Sequence, residues 1–285
     1  MIARTKPNSL ITPGVVRGLV AIPLIALLLA GCQSIKTSSL KPEPVGVDPS
    51  VASDANIQSL SAVIARNPRD PNAYNVRGTV YGQAGEYKAA LADFDMAVKL
   101  DPGFSQAYSN RALVYRRLGK TKDALADYNR AIQTDASYAP AYVGRGNIMR
   151  QDGRLDLALA DYNTAIKLKP TDAQAYHNRA LVHQTQGRHQ QAIEDFTSAI
   201  GIAPSSAEPY NGRGLSYLAL GDAKTALDDI NESLNRNKNS YLAWTNQGLA
   251  LEQLGNKRKA NAAFARAAQL NPKYAPARDG MRRTG

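Results

Sequence analysis

The chain has 285 residues, enough for one or two ordinary domains, and 44% of them are apolar, enough to bury a continuous core. Its 35 Lys and Arg residues outnumber 24 acidic residues, which gives a net charge of +11. That balance suits acidic partners, anionic lipid or an acidic polymer, although a solubilising surface charge would have the same composition. Cys32 is the single cysteine, so an intramolecular disulfide is excluded.

The N-terminus has the pattern of a secretory signal peptide. Residues 1–18 contain three basic residues and no acid, and an uncharged apolar run of 13 residues extends from Gly18 to Ala30. That run is short for a membrane-spanning helix, which needs about 20 residues. Leu29-Ala30-Gly31-Cys32 resembles the bacterial lipobox, and the resemblance implies cleavage after residue 31 and acylation of Cys32 with lipid chains such as palmitate. We therefore expect a signal peptide at 1–31 and a mature chain with a net charge of +8.

The next segment, 32–53, is expected to be the lipidated cysteine and a disordered tether. Residues 33–53 are rich in Ser, Pro and Lys and show no helical period. Gln33 follows the cysteine, whereas Asp at this place favours inner-membrane retention in enterobacterial lipoproteins. The resemblance therefore implies an outer-membrane protein that faces the periplasm.

A 34-residue period runs through the rest of the chain. A proline or its substitute, an aromatic residue, a glycine and an alanine recur at this spacing in series that begin at Pro68, Tyr74, Gly85 and Ala90. This pattern is typical of the helix–turn–helix tetratricopeptide repeat, and the chain is identified as a member of that family. It predicts an all-α fold, a right-handed α-solenoid of six units: 71–104, 105–138, 139–172, 173–206, 207–240 and 241–274.

Each unit is expected to contain two helices, A and B. In unit one, helix A is predicted at about 71–84 and helix B at about 86–100, because Gly85 ends helix A in a left-handed conformation and a proline stops helix B. Residues 54–70 match the B helix of a truncated unit, and 275–285 repeat the opening of an A helix. We predict an N-terminal half-repeat and a C-terminal capping helix that cover the ends of the solenoid.

Two charged positions, counted from the first residue of each unit, change together. Position 7 is Arg and position 23 is Asp in five units, while unit six has Gln247 and Ala263. Because a buried Arg costs several kcal/mol unless it is paired, we predict charge-assisted hydrogen bonds between them. A ladder of ligand-binding arginines is the alternative. The predicted pairs are Arg77 with Asp93, Arg111 with Asp127, Arg145 with Asp161, Arg179 with Asp195, and Arg213 with Asp229.

The family resemblance implies that positions 2, 5, 9, 12 and 13 of the A helices line a concave groove. Here the groove is polar and basic in the first four units and apolar in the last two, so it could hold an extended peptide or a partner helix. A merely solvated inner face is an equal alternative. The candidate groove residues are Arg116, Arg117, Arg150, Asn147, His177, Leu215, Leu218 and Leu249. Asn110, Asn178 and Asn246 occupy a position that some relatives use to clamp a peptide carboxylate, but the matching lysines are missing, and no such clamp is predicted.

The repeats favour a non-catalytic scaffold with a protein partner. No HExxH, CxxC, GxSxG or phosphate-binding loop occurs, so no enzyme activity, cofactor or metal is expected, and an exported protein would not meet nucleic acid. The chain resembles the lipoproteins of the new-lipoprotein-I type, which bring cell-wall hydrolases to a processing protease and form homodimers. Two alternatives are a pilotin-type lipoprotein that escorts a secretin, and an enzyme of cell-wall metabolism. A homodimer could form through the exposed flank of 54–67.

Overall fold

The computed structural model describes residues 54–285, and every regular element in this range is a helix. The predicted signal peptide, the lipidation of Cys32 and the tether at 32–53 lie outside the described residues. The helices are α1 Asp54–Arg66, α2 Pro71–Ala84, α3 Tyr87–Leu100, α4 Ser105–Arg117, α5 Thr121–Thr134, α6 Ala139–Gln151, α7 Leu155–Leu168, α8 Ala173–Thr185, α9 His189–Ile202, α10 Ala207–Ala219, α11 Ala223–Arg236, α12 Tyr241–Gln253, α13 Lys257–Leu270 and α14 Ala275–Thr284.

Local signals in the sequence account for the helix ends. α2 starts at Pro71, where a missing N–H is harmless, and the carboxylate of Asp70 accepts a bond from the Asn72 N–H at 2.9 Å. Gly85 ends α2 with a φ of 83°. The glycine between helices A and B has a positive φ in all six units, as the sequence predicted, because an L side chain is strained in this conformation.

The fourteen helices form one stack in which each pair packs on the next. The A helices also contact the A helices of neighbouring units, whereas B helices do not contact one another. The A helices therefore form the inner, concave layer of the stack. α1 takes the place of a B helix before unit one, and α14 covers the exposed side of α12 and α13.

Aromatic side chains at position 24 fill the space between successive A helices, and small residues make room for them. The Tyr128 ring lies between Ala112 of its own unit and Gly144 of the next, and a Cβ at Gly144 would overlap the ring. For the Tyr162 ring, the glycine is instead Gly146 of the same unit, where an added Cβ would come within 2.9 Å of the ring. Position 6 of the next unit is then Asn178. Each of these two rings thus has one face against a glycine, and the glycine alternates between positions 8 and 6.

Replacing Gly144→Ala is expected to destabilise the protein by about 1–3 kcal/mol, because Ala112 leaves the Tyr128 ring no room to retreat. The matched control is Gly201→Ala near the end of α9, where a new Cβ meets nothing within 4 Å. That substitution should instead stabilise the protein by up to about 1 kcal/mol. Urea unfolding followed by circular dichroism measures both. Equal effects at the two sites would contradict the packing described here.

Candidate functional site

The structure brings together all five Arg–Asp pairs that were predicted from the sequence. In each pair, the Nε and Nη2 atoms of the Arg at position 7 donate to the two carboxylate oxygens of Asp 16 residues later, at 2.6–2.9 Å. The Asp side chains are only 7–10% exposed and the Arg side chains 15–25%. The hydrogen bond to Asp161 raises the pKa of Arg145 above its usual value. These arginines are therefore bound within the fold, not available as a ligand-binding ladder.

The same arginines also reach back to the preceding B helix, which sequence analysis missed. Their Nη1 atoms donate at 2.6–3.0 Å to a side-chain oxygen 16 residues earlier. The acceptors are Ser61, Asp95, Asn129, Asn163 and Thr197. In unit six, Gln247 keeps only this backward bond, to Asn231 at 2.7 Å, and Ala263 is buried without a charge. Polar residues at the same repeat position were the signal in the sequence that could have revealed the acceptors.

On the concave side, asparagines link successive A helices. Asn110 donates to Asn75 at 3.0 Å, and Asn246 donates to Asn211 at 2.9 Å, each across one repeat. Asn178 holds the same position but faces a unit that has Val143 where the acceptor would stand. Asn178 is 7% exposed, and its Nδ2 has no partner among the described residues. The middle of the groove thus contains a buried donor without an acceptor.

Arg116 and Arg150, two of the predicted groove residues, both lie near the buried Tyr162 and influence its pKa. Tyr162 is fully buried and donates to Asn147 Oδ1 at 2.8 Å. Burial raises the pKa of Tyr162 to about 12, and Arg150 and Arg116 act against that rise. Arg150 is half-buried, and its Nε is a buried donor that has no partner in the described part of the chain. Arg117 lies about 100° further round the helix and is exposed, so the basic cluster consists of Arg116 and Arg150.

His177 lies beside this cluster as a neutral ring. Burial is the main reason why its pKa falls to about 4; Glu208 acts against the fall and Arg150 adds to it. The ring is tilted against Phe196, with centroids 5.5 Å apart, and Nδ1 has no hydrogen-bond partner within residues 54–285. At neutral pH, His177 therefore offers a hydrogen-bonding nitrogen without a charge.

Toward the C-terminal units, the predicted groove positions hold apolar side chains. Leu215 is 39% exposed, and Leu218 and Leu249 are half-buried. Gln184 joins α8 to α10 at this border by donating to the Gly212 carbonyl and to Ser216 Oγ, both at 2.8 Å. A polar, cationic stretch is thus followed by apolar side chains along one inner face.

A cavity of about 360 Å³ lies beside the Arg179–Asp195 pair. It opens where His183 stands in place of the tyrosines Tyr81, Tyr115 and Tyr217 of other units. His183 Nε2 is 3.7 Å from Asp195 Oδ2, and burial lowers the pKa of His183.

Within residues 54–285, no cluster of His, Cys, Asp and Glu could hold a metal ion. No helix of that range has the length and apolarity needed to span a membrane.

The fold and groove define a helical-repeat protein of the kind that binds other proteins. Models of the tetratricopeptide repeat match residues 57–104, 75–141, 173–206 and 241–274, and a TPR repeat model matches 146–187. The chain belongs to the tetratricopeptide repeat proteins. No curated protein matches the sequence.

Solved structures share the fold at low sequence identity. A chain of the Cut9–Hcn1 hetero-tetramer of the APC/C aligns with a TM-score of 0.72 and 19% identity over 83% of this chain, which spans only 47% of that chain. Pseudomonas aeruginosa pilF aligns with a TM-score of 0.69 and 17% identity, over 77% of this chain and 99% of its own. PilW, described as a widely conserved type IV pilus biogenesis factor, aligns with a TM-score of 0.66 and 18% identity, over 73% and 97%.

Replacing one partner of an Arg–Asp pair should lower the free energy of unfolding more than replacing both partners. Arg145→Gln leaves the carboxylate of Asp161, whose side chain is 8% exposed, without its guanidinium. We expect a loss of about 2–4 kcal/mol in the free energy of unfolding, discounted because Arg145 is partly exposed. Adding Asp161→Ala reproduces the pair found in unit six and should recover part of that loss. Urea unfolding of the single and double variants measures the difference, and additive losses would contradict the pairing energetics.

The protein should lose stability in mild acid because His177 is buried as a neutral ring. Its folded-state pKa of about 4 lies below the usual 6.5, so the folded state binds fewer protons than the unfolded state in this range. Stability present above pH 6.5 is therefore lost as the pH falls toward 4, by about 3 kcal/mol for this group. In His177→Gln, this part of the pH dependence should disappear from thermal melts at pH 7, 5.5 and 4.5. An unchanged slope in the variant would show that His177 is not responsible.

Proposed function

We propose that this protein is a non-catalytic scaffold that holds an extended segment of a protein partner in its concave groove. The observation that carries this proposal is a group of three buried polar atoms on α6 and α8 that have no partner among residues 54–285: Arg150 Nε, His177 Nδ1 and Asn178 Nδ2. Buried polar groups in proteins are nearly always hydrogen-bonded, and one left unpaired costs about 1–3 kcal/mol. A bound chain that supplied the missing partners would remove this cost.

The chemistry of the groove describes the segment. Arg116 and Arg150 favour a carboxylate, and the Asn178 amide suits a backbone carbonyl or an acidic side chain. Leu215, Leu218 and Leu249 then offer contacts for apolar residues further along the segment. We therefore propose an acidic residue followed by apolar residues, read from unit three toward unit six.

The setting of this scaffold is proposed from residues outside the described range. The lipobox at Cys32 supports a lipid anchor, and Gln33 supports the outer membrane with the repeats in the periplasm. In that setting, the resemblance to lipoproteins of the new-lipoprotein-I type favours cell-wall hydrolases and a processing protease as partners. A homodimer through 54–67 is part of the same proposal, and Val63, which is 45% exposed, gives that flank an apolar residue.

A role in type IV pilus assembly is the second candidate. It is favoured because the alignment covers 97% of PilW, which is described as a type IV pilus biogenesis factor. A pilotin-type lipoprotein would then hold a secretin subunit with this groove.

Crosslinking in intact cells, followed by pull-down and mass spectrometry, tests the groove and identifies the partner. Arg116→Glu with Arg150→Glu should abolish capture, because the groove would then repel an acidic segment. Arg117→Glu is the matched control, since it reverses a charge on the same helix outside the cluster, and capture should persist. Wall hydrolases or a protease would support the adaptor, and a secretin would support the pilus role. Capture unchanged by the double substitution would overturn the groove as the binding surface.

A further inference from the structure

The positive charge of the described residues is concentrated at the C-terminal end. Residues 241–285 contain eight Lys or Arg and two acidic residues, a net charge of +6. Residues 54–240 contain 22 basic and 20 acidic residues, a net charge of only +2. The last unit and the cap therefore carry three quarters of the excess charge of residues 54–285 on fewer than a fifth of those residues.

Three contacts show that several of these cations meet at one end of the last three helices. Asn261, in the first half of α13, donates to the Met281 carbonyl at 3.0 Å and to Thr284 Oγ1 at 3.2 Å, near the end of α14. Arg283 donates to Glu252, near the end of α12, at 2.8 and 2.9 Å. The start of α13 and the ends of α12 and α14 thus lie side by side.

The three cations at the start of α13 are poorly accommodated by the fold itself. Lys257, Arg258 and Lys259 occupy the first turn of the helix, where the helix dipole disfavours positive charge. The equivalent turns of α5 and α7 contain Asp123 and Asp156. All three cations are exposed, and none forms an ion pair within residues 54–285. The two acids of this region are already engaged, Asp279 by Arg282 and Glu252 by Arg283.

Exposed leucines accompany these cations. Leu254, directly before the turn into α13, is 47% exposed, and Leu220, at the same position of unit five, is 54% exposed. Both precede a glycine turn at the same edge of the stack, because successive units are oriented alike. Apolar side chains at the tips of turns beside unpaired cations form a basic and partly apolar edge.

We propose that this C-terminal edge, made of Leu220, Leu254, Lys257, Arg258 and Lys259, docks on an anionic lipid surface. The cations would contact phosphate headgroups, and the leucines would enter the boundary between headgroups and acyl chains. A bilayer offers negative charge and an apolar layer together, whereas a nucleic acid or a soluble acidic polymer offers the leucines no apolar layer. The proposal is independent of the groove and of the lipid anchor.

A local fluorescent label can test this contact in the full chain. Cys32→Ser removes the only native cysteine, and Leu254→Cys then carries a polarity-sensitive nitrobenzoxadiazole dye. The matched control places the dye through Leu168→Cys at the opposite edge, where Leu168 is 39% exposed. With phosphatidylglycerol vesicles we expect a blue-shifted rise in emission at 254 and none at 168. Phosphatidylcholine vesicles should give no rise, and high salt should weaken the rise with phosphatidylglycerol.

Reversal of the three charges tests whether binding to lipid headgroups causes the rise in emission. Lys257→Glu with Arg258→Glu and Lys259→Glu should weaken vesicle partition by roughly 100-fold or more, since each cation near an anionic bilayer contributes about fivefold and each new Glu adds repulsion. These substitutions suit a helix N-terminus, and circular dichroism checks that the fold is retained. Equal rises at 254 and 168, a rise with phosphatidylcholine, or a response at 254 only to soluble polyglutamate or DNA would each overturn the proposal. A groove variant such as Arg150→Glu should bind vesicles normally, so failure here and failure of the groove are distinguishable.

Discussion

One guanidinium in each of the first five units connects three helices, and the stack depends on this connection. Arg145, for example, donates two bonds to Asp161 in the B helix of its own unit and one to Asn129 in the preceding B helix. Lysine could not replace it, because a single ammonium lacks the planar fork that satisfies a carboxylate and a second acceptor together. The bonds join a repeat internally and also join it to its neighbour, so the register between units is determined by the same side chain. Gln247 retains only the backward bond, in the unit that packs against the cap.

Packing of the aromatic residues at position 24 explains why position 6 of the A helices is asparagine in alternate units. The Tyr128 and Tyr162 rings each need a glycine on one face, and where the glycine falls at position 8, position 6 of the next unit is free to be asparagine. Asparagines therefore appear in alternate units along the inner layer. Two of them bond to an asparagine of the preceding unit, whereas Asn178 faces a unit with Val143 and remains unpaired beside Arg150 and His177. The proposed binding site for a partner segment arises where this regular pattern of asparagine pairs is interrupted.

The cations of the protein differ in their surroundings and therefore in what they can bind. Arginines of the repeat pairs are neutralised by aspartates, and Arg116 and Arg150 of the groove lie near the buried Tyr162. Lys257, Arg258 and Lys259 at the start of α13 form no ion pair within residues 54–285. The net charge of +11 therefore says little about function until each cation is assigned to its surroundings. The last two groups are the ones for which we propose partners, and they lie on different surfaces: the concave face of units two and three, and the turn edge of unit six.

The sequence alone determined the helical repeat, because a 34-residue period without insertions leaves few ways to place helices, turns and small residues. It also predicted the Arg–Asp pairs, since both members disappear together in unit six at Gln247 and Ala263. It offered only a hint that each Arg also bonds to the preceding unit, because the polar residues 16 positions earlier become acceptors only when helices of different units face each other. The unpaired Asn178 and the meeting of α13 with the end of α14 likewise required the tertiary structure, since burial and proximity arise only when distant repeats are packed together.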